Sequence, residues 1–132
     1  MKACILDVVS TVDGKENTFS YQATLELSAH SALLRYKEEG AETEICFEGN
    51  KARIEKRGEY GLSLCLKEGE RTKGTLTVAG SLGTIEIQTV RVGYSIGKNS
   101  LLAVLKYAMI FEKEIQEMSL RIKASYDYSE EK

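Results

Sequence analysis

The chain has 132 residues, 42% hydrophobic and 29% charged, and its 18 basic and 20 acidic side chains leave a net charge of −2. That is the composition of one soluble domain; it lacks the basic field that gathers phosphates, so nucleic acid is not an expected partner. No apolar run approaches the roughly 20 residues of a membrane-spanning helix, and the opening MKACILDVV lacks the pattern of a secretion signal, so neither membrane nor export is expected and the expected location is the cytoplasm.

Proline is absent and glycine occurs 11 times. Strands tolerate proline only at edges and bulges, so its absence suits a chain of paired strands. Residues 3–12 are apolar and β-branched and read as the first strand, and Asp13 to Asn17 as a turn. Phe19, Tyr21, Ala23, Leu25 and Leu27 then alternate with polar residues, the period of a half-buried strand. Residues 32–38 put Leu34 and Tyr36 on one face, and Glu39-Gly40-Ala41 turns the chain. Residues 43–48 place Ile45 and Phe47 inward, Gly49-Asn50 is a two-residue hairpin signal, and residues 51–57 carry Ala52 and Ile54.

The same habit continues. Leu62, Leu64 and Leu66 alternate beyond a turn bracketed by Gly58 and Gly61, and Lys67 to Glu70 is a polar turn. Residues 72–79 carry Leu76 and Val78, with Gly74 as a bulge candidate, and residues 82–92 alternate through Ile85 and Ile87. Gly93 to Ser100 reads as a loop. Residues 101–114 are rich in helix formers, yet every neighbour is antiparallel strand with short turns, and the expectation is a strand, which its two apolar faces allow to be covered on both sides. Met118, Leu120 and Ile122 share a face in the last strand, and the tail DYSEEK is polar and expected to fray.

About ten short strands with glycine turns suggest a sandwich or a barrel; the short connections make it a meander, and closing that meander removes its edges, so the expectation is an all-β, antiparallel up-and-down barrel of 8–10 strands in a single domain spanning 1–132. Several segments carry a resemblance. Tyr36-Lys37-Glu38-Glu39, Lys56-Arg57-Gly58, the run Leu64 to Arg71, the run Gly83 to Thr89 and Tyr107-Ala108-Met109 occur in the order and spacing of a family. The chain resembles the YwiB-like family of small bacterial proteins of unknown function. That resemblance spans about residues 20–124 and implies a calycin-like, lipocalin-like barrel. Where the family usually carries an arginine two residues before the Gly58 position, this chain has Lys56.

Little in the chain points to catalysis. His30 is the one histidine and falls in a polar turn; there is no G-x-S-x-G elbow, and Gly80-Ser81-Leu82-Gly83 lacks the lysine of a phosphate loop. Cys4, Cys46 and Cys65 are an odd number without CxxC spacing and read as reduced thiols, so neither metal nor cofactor is expected. Glu38 and Glu39 are adjacent, so on a strand they face opposite ways and cannot share a site.

Extending each alternation inward gives Tyr36 then Glu38, Lys56 after Ile54, Thr89 after Ile87, and Tyr107. Buried charges must be paired, which makes Glu38 and Lys56 candidates for an ion pair at the lumen. Tyr36, Glu38, Lys56, Thr89 and Tyr107 are therefore the candidate ligand-binding residues of a barrel holding one small, apolar ligand. The alternative is a filled barrel acting as an interaction module. Leu102, Val104, Ala108 and Ile110 then face outward as the interface of a homodimer, unless the N-terminal strand covers them.

Overall fold

The computed structural model describes residues 2–38 and 40–126; the tail 127–132 and Glu39, the second member of the acidic pair, lie outside them. Ten strands follow one another: β1 (Lys2–Val12), β2 (Lys15–Leu27), β3 (Ser31–Glu38), β4 (Ala41–Glu48), β5 (Lys51–Gly58), β6 (Tyr60–Lys67), β7 (Arg71–Val78), β8 (Ser81–Ile96), β9 (Ser100–Phe111) and β10 (Glu114–Ser125). Each pairs antiparallel with the next, and β1 pairs with β10, closing the barrel. This is the expected up-and-down barrel, with no helix among the described residues. Residues 101–111 are strand, because the inward residues from Leu101 to Met109 have partners on both β8 and β10, which overrides the local helix propensity.

Three details correct the sequence reading. The first turn is the two residues Asp13-Gly14, and Lys15 already pairs with Val12. The expected loop over 93–100 is mostly strand, since β8 pairs with β9 as far as Ile96–Leu101. The bulge is not at Gly74. The register shift lies between Thr89 and Arg91, leaving Val90 as the extra, exposed residue. The inward face therefore switches from Ile85, Ile87 and Thr89 to Val92 and Tyr94. The β6–β7 turn fills the irregularity: Gly69 N–H donates to the Thr89 carbonyl at 3.0 Å and Val92 N–H to Glu68 Oε1 at 3.0 Å. Gly74 instead allows a close approach, because a Cβ there would lie 2.5 Å from the Ser63 carbonyl oxygen.

The barrel has two unlike ends. One carries both termini and the turns after β2, β4, β6 and β8; the other carries the turns after β1, β3, β5, β7 and β9. Toward the first, the lumen is filled. Leu25, Ala32, Leu34, Phe47, Leu64, Leu66, Leu101, Leu105 and Ala124 are fully buried, and Phe47 packs on Tyr94 with ring centroids 5.5 Å apart. Tyr126 seals this closed end, its hydroxyl donating to the Gly97 carbonyl at 2.5 Å and its N–H to the Asn99 carbonyl at 2.9 Å. Toward the other, inward residues lose their cover: Tyr21, Leu62, Leu76, Phe111, Met118 and Leu120 are half-buried. Phe19 and Val78, on inward positions, are exposed, against the sequence expectation. β3 to β7 have eight residues each while β2 has 13 and β9 has 12, so the longer strands outrun the shorter wall.

Candidate functional site

The barrel register builds the candidate site. Cys4, Ala23, Tyr36, Thr43, Lys56 and Leu62 are successive cross-strand partners from β1 to β6 and so form one inward row. Glu38 is one inward step further along β3, toward the open end. Its Oε2 accepts from Lys56 Nζ at 2.7 Å and from Thr43 Oγ1 at 2.5 Å, and the Tyr21 phenol stands near enough to the carboxylate to help hold its charge. The expected ion pair therefore forms. It sits on an inner wall that solvent still reaches, with the two side chains 21% and 23% exposed.

The electrostatics follow from that setting. Burial works to raise the Glu38 pKa, but the bonds from Lys56 and Thr43 and the charge of Lys56 outweigh it, so the carboxyl lies below its ordinary value. Tyr36 is pushed upward, first by burial and then by the Glu38 charge and the neighbouring phenols of Tyr21 and Tyr107. Tyr107 is pushed upward by burial. At neutral pH the site thus presents one ion pair and three neutral phenols. Phe19, Tyr21 and Tyr36 form a continuous aromatic shelf, with centroids 6.1 Å and 4.9 Å apart.

All five sequence-predicted lumen residues face inward. In the closed strand order β9 stands four strands from β3 by way of β2, β1 and β10, across the lumen, and Thr89 is the ladder partner of Tyr107. Thr89 is fully buried and its Oγ1 has no hydrogen-bond partner. Sequence reasoning missed Thr43 and Tyr21 as members of the cluster. Thr43 was legible in principle, since it is the inward residue before Ile45, but a lone threonine gives no hint that it holds a carboxylate.

Of the four outward residues on β9, Leu102 is 51% exposed, and Val104, Ala108 and Ile110 are half-buried. The N-terminal strand does not cover them, because β1 is part of the wall beside β10. A concavity of about 1530 Å³ runs along β1 to β5, and inward residues such as Cys4, Tyr36 and Thr43 also border it. Its outward residues include Arg35, Lys37, Glu42, Glu44 and Arg57, neutralised in pairs by Arg35–Glu44 at 3.6 Å and Lys37–Glu42 at 3.8 Å. A smaller recess of about 360 Å³ lies at the open end, beside Asp13, Phe111 and Gln116.

Residues 6–122 match a family described as a domain of unknown function, DUF1934. The fold is similar to the crystal structure of the ywiB protein from Bacillus subtilis, with a TM-score of 0.81 and 12% sequence identity over 96% of this chain and 92% of that one. No curated protein matches the sequence.

Proposed function

The chain belongs to the DUF1934 family, and we propose that it is a non-enzymatic binding barrel that takes one small, mostly apolar molecule through its open end. The observation that carries this reading is the Glu38–Lys56 pair, held by Thr43 beside Tyr21 on an inward, solvent-reached wall. Polar side chains on an otherwise apolar inner wall are what fix a ligand's orientation in such sites. The aromatic shelf from Phe19 to Tyr36 and the half-buried Leu62, Leu76, Phe111 and Met118 supply apolar contact around it. The dry, filled closed end confines the ligand to the mouth, so a short or ring-shaped molecule fits better than a long chain.

The cytoplasmic assignment belongs to the same reading. It is supported by Cys65, an exposed free thiol of the kind a reducing compartment preserves.

Native mass spectrometry of the purified protein, followed by titration with Nile red, tests the binding. The expectation is a retained small-molecule adduct and a dye affinity that falls about tenfold in Lys56→Met and in Tyr107→Phe. A bare protein whose dye binding is unchanged in both variants overturns the proposal.

A further inference from the structure

β2 outlasts its neighbour. The β2–β3 ladder stops at Ala23–Tyr36, and β3 ends at Glu38. Lys15 to Ser20 therefore run on with β1 along one side and no strand along the other, among the described residues. All six are exposed, including Phe19 at 44%. Such an edge presents free N–H and C=O groups in a row, a template for another extended chain. Natural sheets blunt their edges with proline, a bulge or a charge at the centre. Here the chain has no proline, the β1–β2 register runs without a shift from Lys2–Leu25 to Val12–Lys15, and Asn17, Thr18, Phe19 and Ser20 are uncharged.

We propose that this edge receives a second copy of the same chain, whose own Lys15–Ser20 segment adds antiparallel across a two-fold axis beside Asn17. The occupant is a second copy because the edge is complementary to itself. A two-fold axis perpendicular to the sheet keeps each face on its own side, so a residue must meet one of equal parity. With Asn17 opposite the partner's Asn17, Glu16 meets the partner's Thr18, Lys15 meets the partner's Phe19 and Gly14 meets the partner's Ser20. No like charges are opposed, and the ladder ends where β3 begins, so no strand is displaced. On the inner face the partner's Lys15 lies over Phe19, on the side of Tyr21 and the nearby Glu38, which gives charge complementarity. An isologous contact of this kind closes after two copies. It has a consequence for the mouth, because the partner's Phe19 and Lys15 extend the rim that the short β3 leaves unfinished.

Analytical ultracentrifugation across a wide concentration range, with charge-swapped variants, tests this. The wild type is expected to sediment as a dimer. Asn17→Lys and Asn17→Glu, each placing like charges opposite one another, are expected to dimerise about tenfold more weakly or worse, and an equal mixture of the two to recover the dimer. Both substitutions lie on an exposed position, and circular dichroism confirms that each variant keeps its fold. Asn17→Cys, with Cys46 and Cys65 replaced by serine, is expected to form a disulfide-linked dimer on mild oxidation, since directly opposed Cα atoms lie about 4.5–5.5 Å apart. A wild type that stays monomeric at the highest concentration overturns the proposal. So does a dimer that survives both Asn17 charge variants but dissociates in Val104→Glu, which would place the contact on β9.

Discussion

Toward the closed end the inward residues Phe47, Leu66, Leu101 and Ala124 are fully buried, whereas toward the open end Glu38, Lys56, Leu62, Leu76 and Phe111 are half-buried. The turns differ too. Left-handed glycines occur at both ends, Gly49 and Gly69 at the closed one and Gly14, Gly40 and Gly80 at the open one, but among the described residues only the open end also holds non-glycine residues there, Asp13, Ala79 and Glu112 at φ of 49°, 51° and 48°. Strain and incomplete burial thus coincide with the polar cluster. The comparison teaches that one meander can put its stability at one end and its chemistry at the other. Packing needs facing side chains at the same height, and strands of unequal length supply them at only one end. Regions of low local stability are where binding surfaces are commonly found.

The sharpest way to break the comparison is to delete volume at each end. Phe47→Ala is expected to cost about 3–5 kcal/mol in urea denaturation, because it removes a fully buried ring. Leu62→Ala, at the mouth, is expected to cost about 1–2 kcal/mol, because water already shares its surface. Equal costs would mean that the mouth is packed as a core.

A smaller effect is expected at the ion pair. Lys56→Met leaves the Glu38 carboxylate without its strongest donor, at a cost of about 1–3 kcal/mol at neutral pH. Its pH profile is more diagnostic. In the wild type the folded pKa of Glu38 lies below the ordinary 4.5, so its contribution is complete above that pH and lost as pH falls through the lower folded value. Lys56→Met removes both lowering influences of the lysine and leaves those of Thr43 and Tyr21 against burial, so this acid loss should shrink. Stability against pH by thermal melting checks it; an unchanged acid limb would show that Lys56 does not hold the carboxylate.

The smallest expected effect is a gain. Ala79→Gly relieves a left-handed alanine in the β7–β8 turn and should stabilise the protein by about 0.5–1 kcal/mol. Gly58→Ala is its counterpart, since a Cβ there would sit 2.0 Å from the Gly40 carbonyl oxygen; destabilisation is expected. Paired urea titrations of the two variants separate conformational strain from steric contact at the same end.

Much of this was legible in the chain because period-2 alternation is a local signal. Leu34, Tyr36, Ile45, Phe47, Ile54, Leu64, Leu66, Ile85 and Ile87 all point inward as their alternation requires. The larger face of β9, from Leu101 to Met109, is the buried one. Glu38 and Lys56 could be matched because both continue inward faces, although 18 residues separate them in sequence. Alternation failed at Val90, where one extra residue exchanges the two faces, and at Phe19 and Val78, which keep the inward parity but have nothing across from them.

By itself the sequence determined the strands, most of their turns and the identity of the inward face, because these depend on neighbours along the chain. Only the tertiary structure decided how far each strand runs past the next. That offset left Tyr21 and Thr43 beside Glu38, closed one end with Phe47 and Tyr126, and freed the Lys15–Ser20 edge. Stagger between strands is a property of barrel closure, where tilt and register are fixed jointly by all ten strands.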